Sequence, residues 1–249
     1  MNKKTVFSIS IWLILGLLSG FIFIKLTSSE NLPDVLEAAS PSVVNIWSIK
    51  KWKAWQEKSN LLGFKRYQQV VKTGFFPNGS GVVFDNDGKI VTNYHVIKEA
   101  YKNNQKLIIE LNNGEINEAV ILGFSENADI AVIQTINNSN LKPLKIKKNI
   151  DDLRVGEQVI AIGNPQGLGK SFSMGIVSAI NRQFKNVNGS FIQTDASINP
   201  GNSGGALIDR EGNLIGITNL IETTSGGSQG LNFAIPIDEV LRIYNEIIN

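Results

Sequence analysis

Two hydrophobic patterns divide the chain. Residues 6–24 read VFSISIWLILGLLSGFIFI, with no charged position and no polar face. As a helix, these 19 residues would extend roughly 28 Å, close to the hydrocarbon thickness of a bilayer. From about residue 42 onward, apolar positions come in short runs separated by turn signals, the pattern of strands rather than helices. Strands are predicted at 42–49, 81–84, 89–92, 105–111, 116–122 and 130–134. After a Lys-rich linker at 142–148, a second series follows at 158–162, 171–180, 190–194, 205–208, 214–218 and 232–235. Asn112-Asn113-Gly114 is a strong hairpin signal within the first series. A brief helix is predicted at 33–39, opened by Pro33 and ended by Pro41. An amphipathic helix is predicted at 236–249, where Val240, Leu241, Tyr244 and Ile248 fall at helical spacing. Two sets of about six short strands predict an all-β molecule of two small antiparallel barrels rather than βαβ units. The expected division is 1–30 as cytoplasmic stub, transmembrane anchor and tether, 31–140 as an N-terminal barrel, and 141–249 as a C-terminal barrel with its terminal helix.

One segment breaks the pattern. Between residues 50 and 77, Lys50, Lys51, Lys53, Lys58, Lys65, Arg66 and Lys72 stand against Glu57, interleaved with Trp52, Trp55, Phe64, Tyr67, Phe75 and Phe76. It reads as a long, partly solvated surface loop whose aromatics pack on the body. The sharper alternative is a surface that touches anionic headgroups or a partner chain.

Composition narrows the chemistry. The 249 residues include 23 glycines and no cysteine, so neither a disulfide framework nor a thiolate metal site is possible. A single histidine excludes a multi-histidine metal site, and no carboxylate cluster stands out, so no metal and no cofactor is expected. The formal net charge is +2, but Lys3, Lys4 and Lys25 flank the apolar segment. Taking those three from the 24 basic residues leaves 21 against 22 acidic ones, so the remainder is near neutral and does not read as a nucleic-acid binder. Lys3 and Lys4 favour a cytoplasmic N-terminus, which places the rest of the chain beyond the membrane. A cleaved signal peptide usually has a shorter apolar core and an Ala-x-Ala-like site. The long core followed by Lys25-Leu26-Thr27-Ser28-Ser29-Glu30 instead favours an uncleaved single-pass anchor. Residues 163–171 superficially resemble a phosphate-binding loop, but Asn164 stands where the motif needs glycine and a strand pattern follows. They read as a loop between strands.

The candidate chemistry centres on Gly201-Asn202-Ser203-Gly204-Gly205. Glycines around a serine permit strained dihedrals and leave backbone N–H groups open to a developing oxyanion. His95, in Thr92-Asn93-Tyr94-His95-Val96, is expected just after a strand. Asp129, in Asp129-Ile130-Ala131-Val132, is expected to open one. Serine is a weak nucleophile that needs a base, imidazole titrates near neutrality, and a carboxylate fixes the imidazole's tautomer. Each residue alone has an ordinary structural explanation. Together, in the order His, Asp, Ser, they point to acyl transfer, with the N–H groups of Gly201 and Ser203 as the oxyanion hole.

These motifs, with Gln193-Thr194-Asp195-Ala196, resemble the high-temperature-requirement (HtrA/Deg) serine proteases over nearly the whole chain after Leu32. The resemblance implies a chymotrypsin-like double β-barrel and an endopeptidase. It implies His95 as general base, Asp129 as its orienting carboxylate and Ser203 as nucleophile. It further implies that residues 164–171 form an activation loop, and that 214–221, including Ile217, Thr218 and Asn219, present backbone to a polypeptide substrate as an added strand. Ser197, Ile198 and Asn199 would contribute to a pocket for small aliphatic side chains. Anchor plus protease most resembles the DegS-type stress sensors, which implies the cytoplasmic membrane of a bacterium with the protease on the periplasmic side, and a homotrimer. Family members usually carry one or two PDZ domains after the protease. This sequence ends at Asn249, as a piece of a longer chain or as a short form regulated by loops, assembly or another protein. The competing reading is a membrane-tethered peptide-binding or chaperone module that does not cleave. Pro200, just before the oxyanion turn, pushes Asn199 toward extended conformations.

Overall fold

A computed structural model describes residues 31–59, 64–137, 141–164, 169–184, 187–219 and 230–249. The predicted membrane segment at 6–24 lies outside these residues, as do 165–168 of the expected activation loop and 220–221 of the expected substrate strand. Among the described residues no helix is long and apolar enough to cross a membrane.

The two predicted strand series each close into an antiparallel barrel. The first comprises β1 (Val43–Ser59), β2 (Lys65–Val83), β3 (Lys89–Thr92), β4 (Leu107–Glu110), β5 (Ile116–Ser125) and β6 (Ile130–Thr135), in the order β1-β2-β3-β6-β5-β4. The second comprises β7 (Gln158–Gly163), β8 (Ser171–Phe184), β9 (Val187–Thr194), β10 (Ala206–Asp209), β11 (Leu214–Asn219) and β12 (Asn232–Pro236), in the order β10-β11-β12-β9-β8-β7. The β4–β5 turn uses Gly114 at φ +81°, the left-handed conformation its hairpin signal requires. Two helices match expectation. α1 (Leu32–Ala39) begins with proline in its first turn and runs into a 3₁₀ turn, Ser40–Ser42, that holds Pro41. α3 (Ile237–Ile248) closes the chain.

One expectation needs correction, and one element was not predicted. The described residues of this segment, 50–59 and 64–77, do not form a loop with its aromatics packed on the body. They form most of a β-hairpin arm in which β1 and β2 stay in register from Lys50↔Gly74 out to Ser59↔Lys65. Pairing of β1 with β4 ends at Ser48↔Leu107, so the arm beyond that point is two-stranded. Trp52, Trp55, Tyr67, Val71 and Phe75 are exposed along it. His95 lies just after a strand, β3, as expected, and it opens a helix that was not predicted, α2 (Tyr94–Lys102). Its Tyr94, Val96, Ile97 and Ala100 are buried at helical spacing in the core of the first barrel.

A shared core joins the barrels. One cluster contains Val82, Val91 and Val132 of the first barrel, Ile160, Ile208 and Ile235 of the second, Val35 of α1, and Val240 and Ile243 of α3. The helix that follows the second barrel also reaches the first. A β-carbon on Gly123 of β5 would lie 2.7 Å from Ile247, so glycine permits this close approach. Tyr244 donates its hydroxyl to Asp85 Oδ2 at 2.8 Å.

Candidate active site

Asp129 stands one residue before β6, in the left-handed region at φ +52°, where a short polar side chain is tolerated better than most. This conformation turns both of its acceptors toward the start of α2. The backbone carbonyl accepts the N–H of Tyr94 at 3.1 Å and Asn93 Nδ2 at 3.0 Å. Carboxylate Oδ1 accepts the N–H of His95 at 2.9 Å. The first N–H groups of a helix have no intrahelical partner, and the helix dipole favours an anion there. Asp129 therefore caps α2 from another element and fixes the turn that carries His95.

The second carboxylate oxygen meets the imidazole: His95 Nδ1 lies 2.7 Å from Asp129 Oδ2. An ionised carboxylate only accepts, so Nδ1 carries the proton and the neutral ring keeps Nε2 as an acceptor. The same Oδ2 accepts Asn219 Nδ2 at 3.1 Å, a contribution from β11 of the second barrel. The His95 side chain is 41% exposed, open to an approaching substrate.

Ser203 follows a tight turn. The N–H of Asn202 donates to the Asn199 carbonyl at 2.9 Å, which puts Pro200 and Gly201 at the centre. Gly201 has φ +99°, and proline followed by glycine at positive φ is the requirement of a type II turn. The carbonyls around the serine are held. Gly201 O accepts Ser80 Oγ at 2.8 Å, Asn202 O accepts Thr218 Oγ1 at 2.6 Å, and Ser203 O accepts the Ser80 N–H at 2.9 Å. The N–H groups of Gly201 and Ser203 donate to nothing among the described residues. Glycine at 79 brings this segment against α2, since a β-carbon there would lie 2.8 Å from Val96 and 2.9 Å from Ser203 O. Ser203 is thus packed beside the turn that bears His95. It is 5% exposed, and its hydroxyl bonds to no described residue, His95 included.

The predicted substrate residues divide. Ser197 and Asn199 are exposed, but Ile198 is fully buried in the core of the second barrel, so only its backbone can line a pocket. Ile217 is buried too. The expectation of an added strand along 214–221 needs correction for its described part. Residues 214–217 lie between β10 and β12, and Thr218 spends its N–H on Gly205 O and its carbonyl on the Gly204 N–H, both at 2.9 Å. That edge is therefore closed through Thr218. Sequence reasoning missed Ser80, Asn93 and the partnership of Asn219 with Asp129. The available signal for Ser80 was a small polar residue between Gly79 and Gly81 in a buried strand. In the loop after β7, burial pulls the Lys170 ammonium down to about 8, and it donates to the Ser40 carbonyl.

Residues 79–217 match the trypsin-like peptidase domain family. A probable periplasmic serine endoprotease, DegP-like, of Buchnera aphidicola subsp. Baizongia pistaciae is 40% identical over all of this chain and 58% of its own length. The periplasmic pH-dependent serine endoprotease DegQ of Escherichia coli is 45% identical over 88% of this chain and 48% of its own. Among solved structures, the HtrA-type protease AlgW with a decapeptide superposes with a TM-score of 0.76 at 34% identity, over 88% of this chain and 67% of that one. With its barrels, its bonded histidine–aspartate pair and its glycine-flanked serine, the chain belongs to the HtrA/Deg family of trypsin-like serine proteases. It spans about half the length of the curated relatives it matches.

Proposed function

We propose that the protein is a membrane-anchored serine endopeptidase of the bacterial cell envelope that hydrolyses peptide bonds of unfolded or regulatory envelope proteins. The observation that carries this reading is the 2.7 Å contact between His95 Nδ1 and Asp129 Oδ2, beside a serine turn with two N–H groups that donate to nothing among the described residues. Ser203 Oγ attacks the scissile carbonyl carbon while His95 Nε2 takes its proton. Asp129 keeps the proton on Nδ1 and stabilises the imidazolium. The N–H groups of Gly201 and Ser203 meet the oxyanion. His95 then protonates the leaving amine, and water repeats the sequence on the acyl-enzyme. No cofactor takes part.

Relatives named periplasmic endoproteases and a structural relative holding a decapeptide support a polypeptide substrate and an extracytoplasmic site. Residues 6–24 would anchor the chain as a single pass in the cytoplasmic membrane, with 31–140 and 141–249 as the two barrel domains on the periplasmic side. The pocket bounded by Ser197 and Asn199 would take a small aliphatic side chain, and the protein would assemble as a homotrimer. A non-cleaving peptide-binding module gains no support from a base already bonded to its carboxylate. Incubation with casein, an unfolded protein, tests the proposal. Wild-type protein releases peptides and Ser203→Ala does not, whereas release that survives the substitution would rule out this mechanism.

A further inference from the structure

Ser80 is fully buried in β2, and its N–H and its hydroxyl both engage the oxyanion turn. Its N–H donates to Ser203 O at 2.9 Å, and its carbonyl accepts Thr92 Oγ1 at 2.6 Å. Its hydroxyl lies 2.8 Å from Gly201 O and 3.0 Å from the backbone nitrogen of Asn164. A hydroxyl has one proton. The Asn164 N–H occupies a lone pair, so the proton goes to the Gly201 carbonyl. One side chain of the first barrel thus joins two loops of the second. These are the turn before the serine and Asn164, where the loop after β7 begins. Asn164 Oδ1 in turn accepts the Gly169 N–H at 2.8 Å.

The peptides of the turn differ in how firmly they are held. The Gly201–Asn202 peptide is fixed at both ends, its carbonyl by Ser80 Oγ and its N–H by Asn199 O. The Ser203–Gly204 peptide is fixed by the Ser80 N–H and by Thr218 O. The Pro200–Gly201 peptide, which carries one proposed oxyanion donor, makes no hydrogen bond among the described residues. Its orientation is therefore set through its neighbours. On the Gly201 side, the Ser80 hydroxyl holds the carbonyl that restricts rotation about the glycine.

We propose that Ser80 is a positioning residue that orients the Gly201 N–H toward the oxyanion through its hydroxyl, an inference that rests on the protease reading above. Glycine needs such a restraint because it adopts either sign of φ readily. The alternative is that Ser80 only satisfies buried polar groups and supports the fold.

The test uses Ser80→Ala and Ser80→Cys in the full chain. Two assays are read: hydrolysis of fluorescently labelled casein, and the rate of Ser203 labelling by a fluorophosphonate, whose phosphoryl oxygen occupies the oxyanion position. Outright loss of one oxyanion donor costs roughly 10²- to 10³-fold, and loss of its positioning should cost less. Ser80→Ala is expected to lower kcat by roughly 10- to 100-fold, with KM within about twofold and the labelling rate falling in parallel. Ser80→Cys keeps a side-chain donor, bulkier and weaker than the hydroxyl, so it should fall between. It gives the same readout if the alanine variant does not fold. Variants with a lower Tm but wild-type kcat and labelling rate would overturn the proposal, as would a rise in KM alone. Wild-type protein inert in both assays would overturn the protease reading itself, and this inference with it.

Discussion

Asp129 performs two tasks with one side chain, and the positive φ of the residue makes both possible. Oδ1 and the backbone carbonyl cap α2, while Oδ2 faces the imidazole. Replacement by asparagine keeps the shape but places an amide where the histidine needs an acceptor, or forces the other tautomer. Asp129→Asn is expected to lower kcat by about 10⁴-fold, in steady-state casein assays, while KM changes little. A loss below tenfold would remove Asp129 from the proposed mechanism. The residues proposed to carry the catalysis were legible because their types are dictated by that chemistry and their neighbours form recognisable motifs. Ser80 and Asn219 were not. Their decisive bonds cross the chain, with Ser80 and Gly201 121 residues apart and Asn219 and Asp129 90 apart, so no local pattern marks them. Ile198 shows a different limit, since the resemblance implied a place at a pocket and the sequence did not tell that its side chain fills the core, leaving only its backbone for that role.

At the scale of elements, the periodicity of short apolar runs located the strands because each has one face in a barrel. The hairpin arm escaped this reading because neither of its faces is buried, and alternation between inside and outside is what makes a strand visible in sequence. α2 was hidden for another reason: only Asn93 separates it from β3, so its apolar Tyr94, Val96 and Ile97 read as part of the same short segment. A different link joins the β7–β8 loop to the 3₁₀ turn after α1, through the Lys170 ammonium and the Ser40 carbonyl. Burial depresses the Lys170 pKa from 10.5 to about 8, so between those values the unfolded chain binds more protons than the folded one. Folding stability from this group therefore rises as pH increases from about 8 toward 10.5. Denaturant unfolding at pH 7, 8.5 and 10 checks this against Lys170→Met, which cannot titrate. The stability of wild type relative to the variant is expected to climb across the series, and a constant difference would contradict the assigned burial.

The whole molecule places the proposed reacting groups across the junction of two barrels. His95 and Asp129 come from the first, Ser203 and Asn219 from the second, and the core shared by both barrels, α1 and α3 keeps that junction closed. The two-barrel plan was legible from strand count and spacing, but the cross-barrel bonds that assemble the site depend on packing that no single segment encodes. In the proposed mechanism Ser203 is nucleophilic only if base, carboxylate and oxyanion donors act together. Fluorophosphonate labelling of the folded protein, with the modified residue located by mass spectrometry, tests that most directly. The account predicts one covalent adduct on Ser203, formed at a rate that collapses in His95→Ala. No adduct on Ser203, or an adduct formed equally fast without His95, would contradict it.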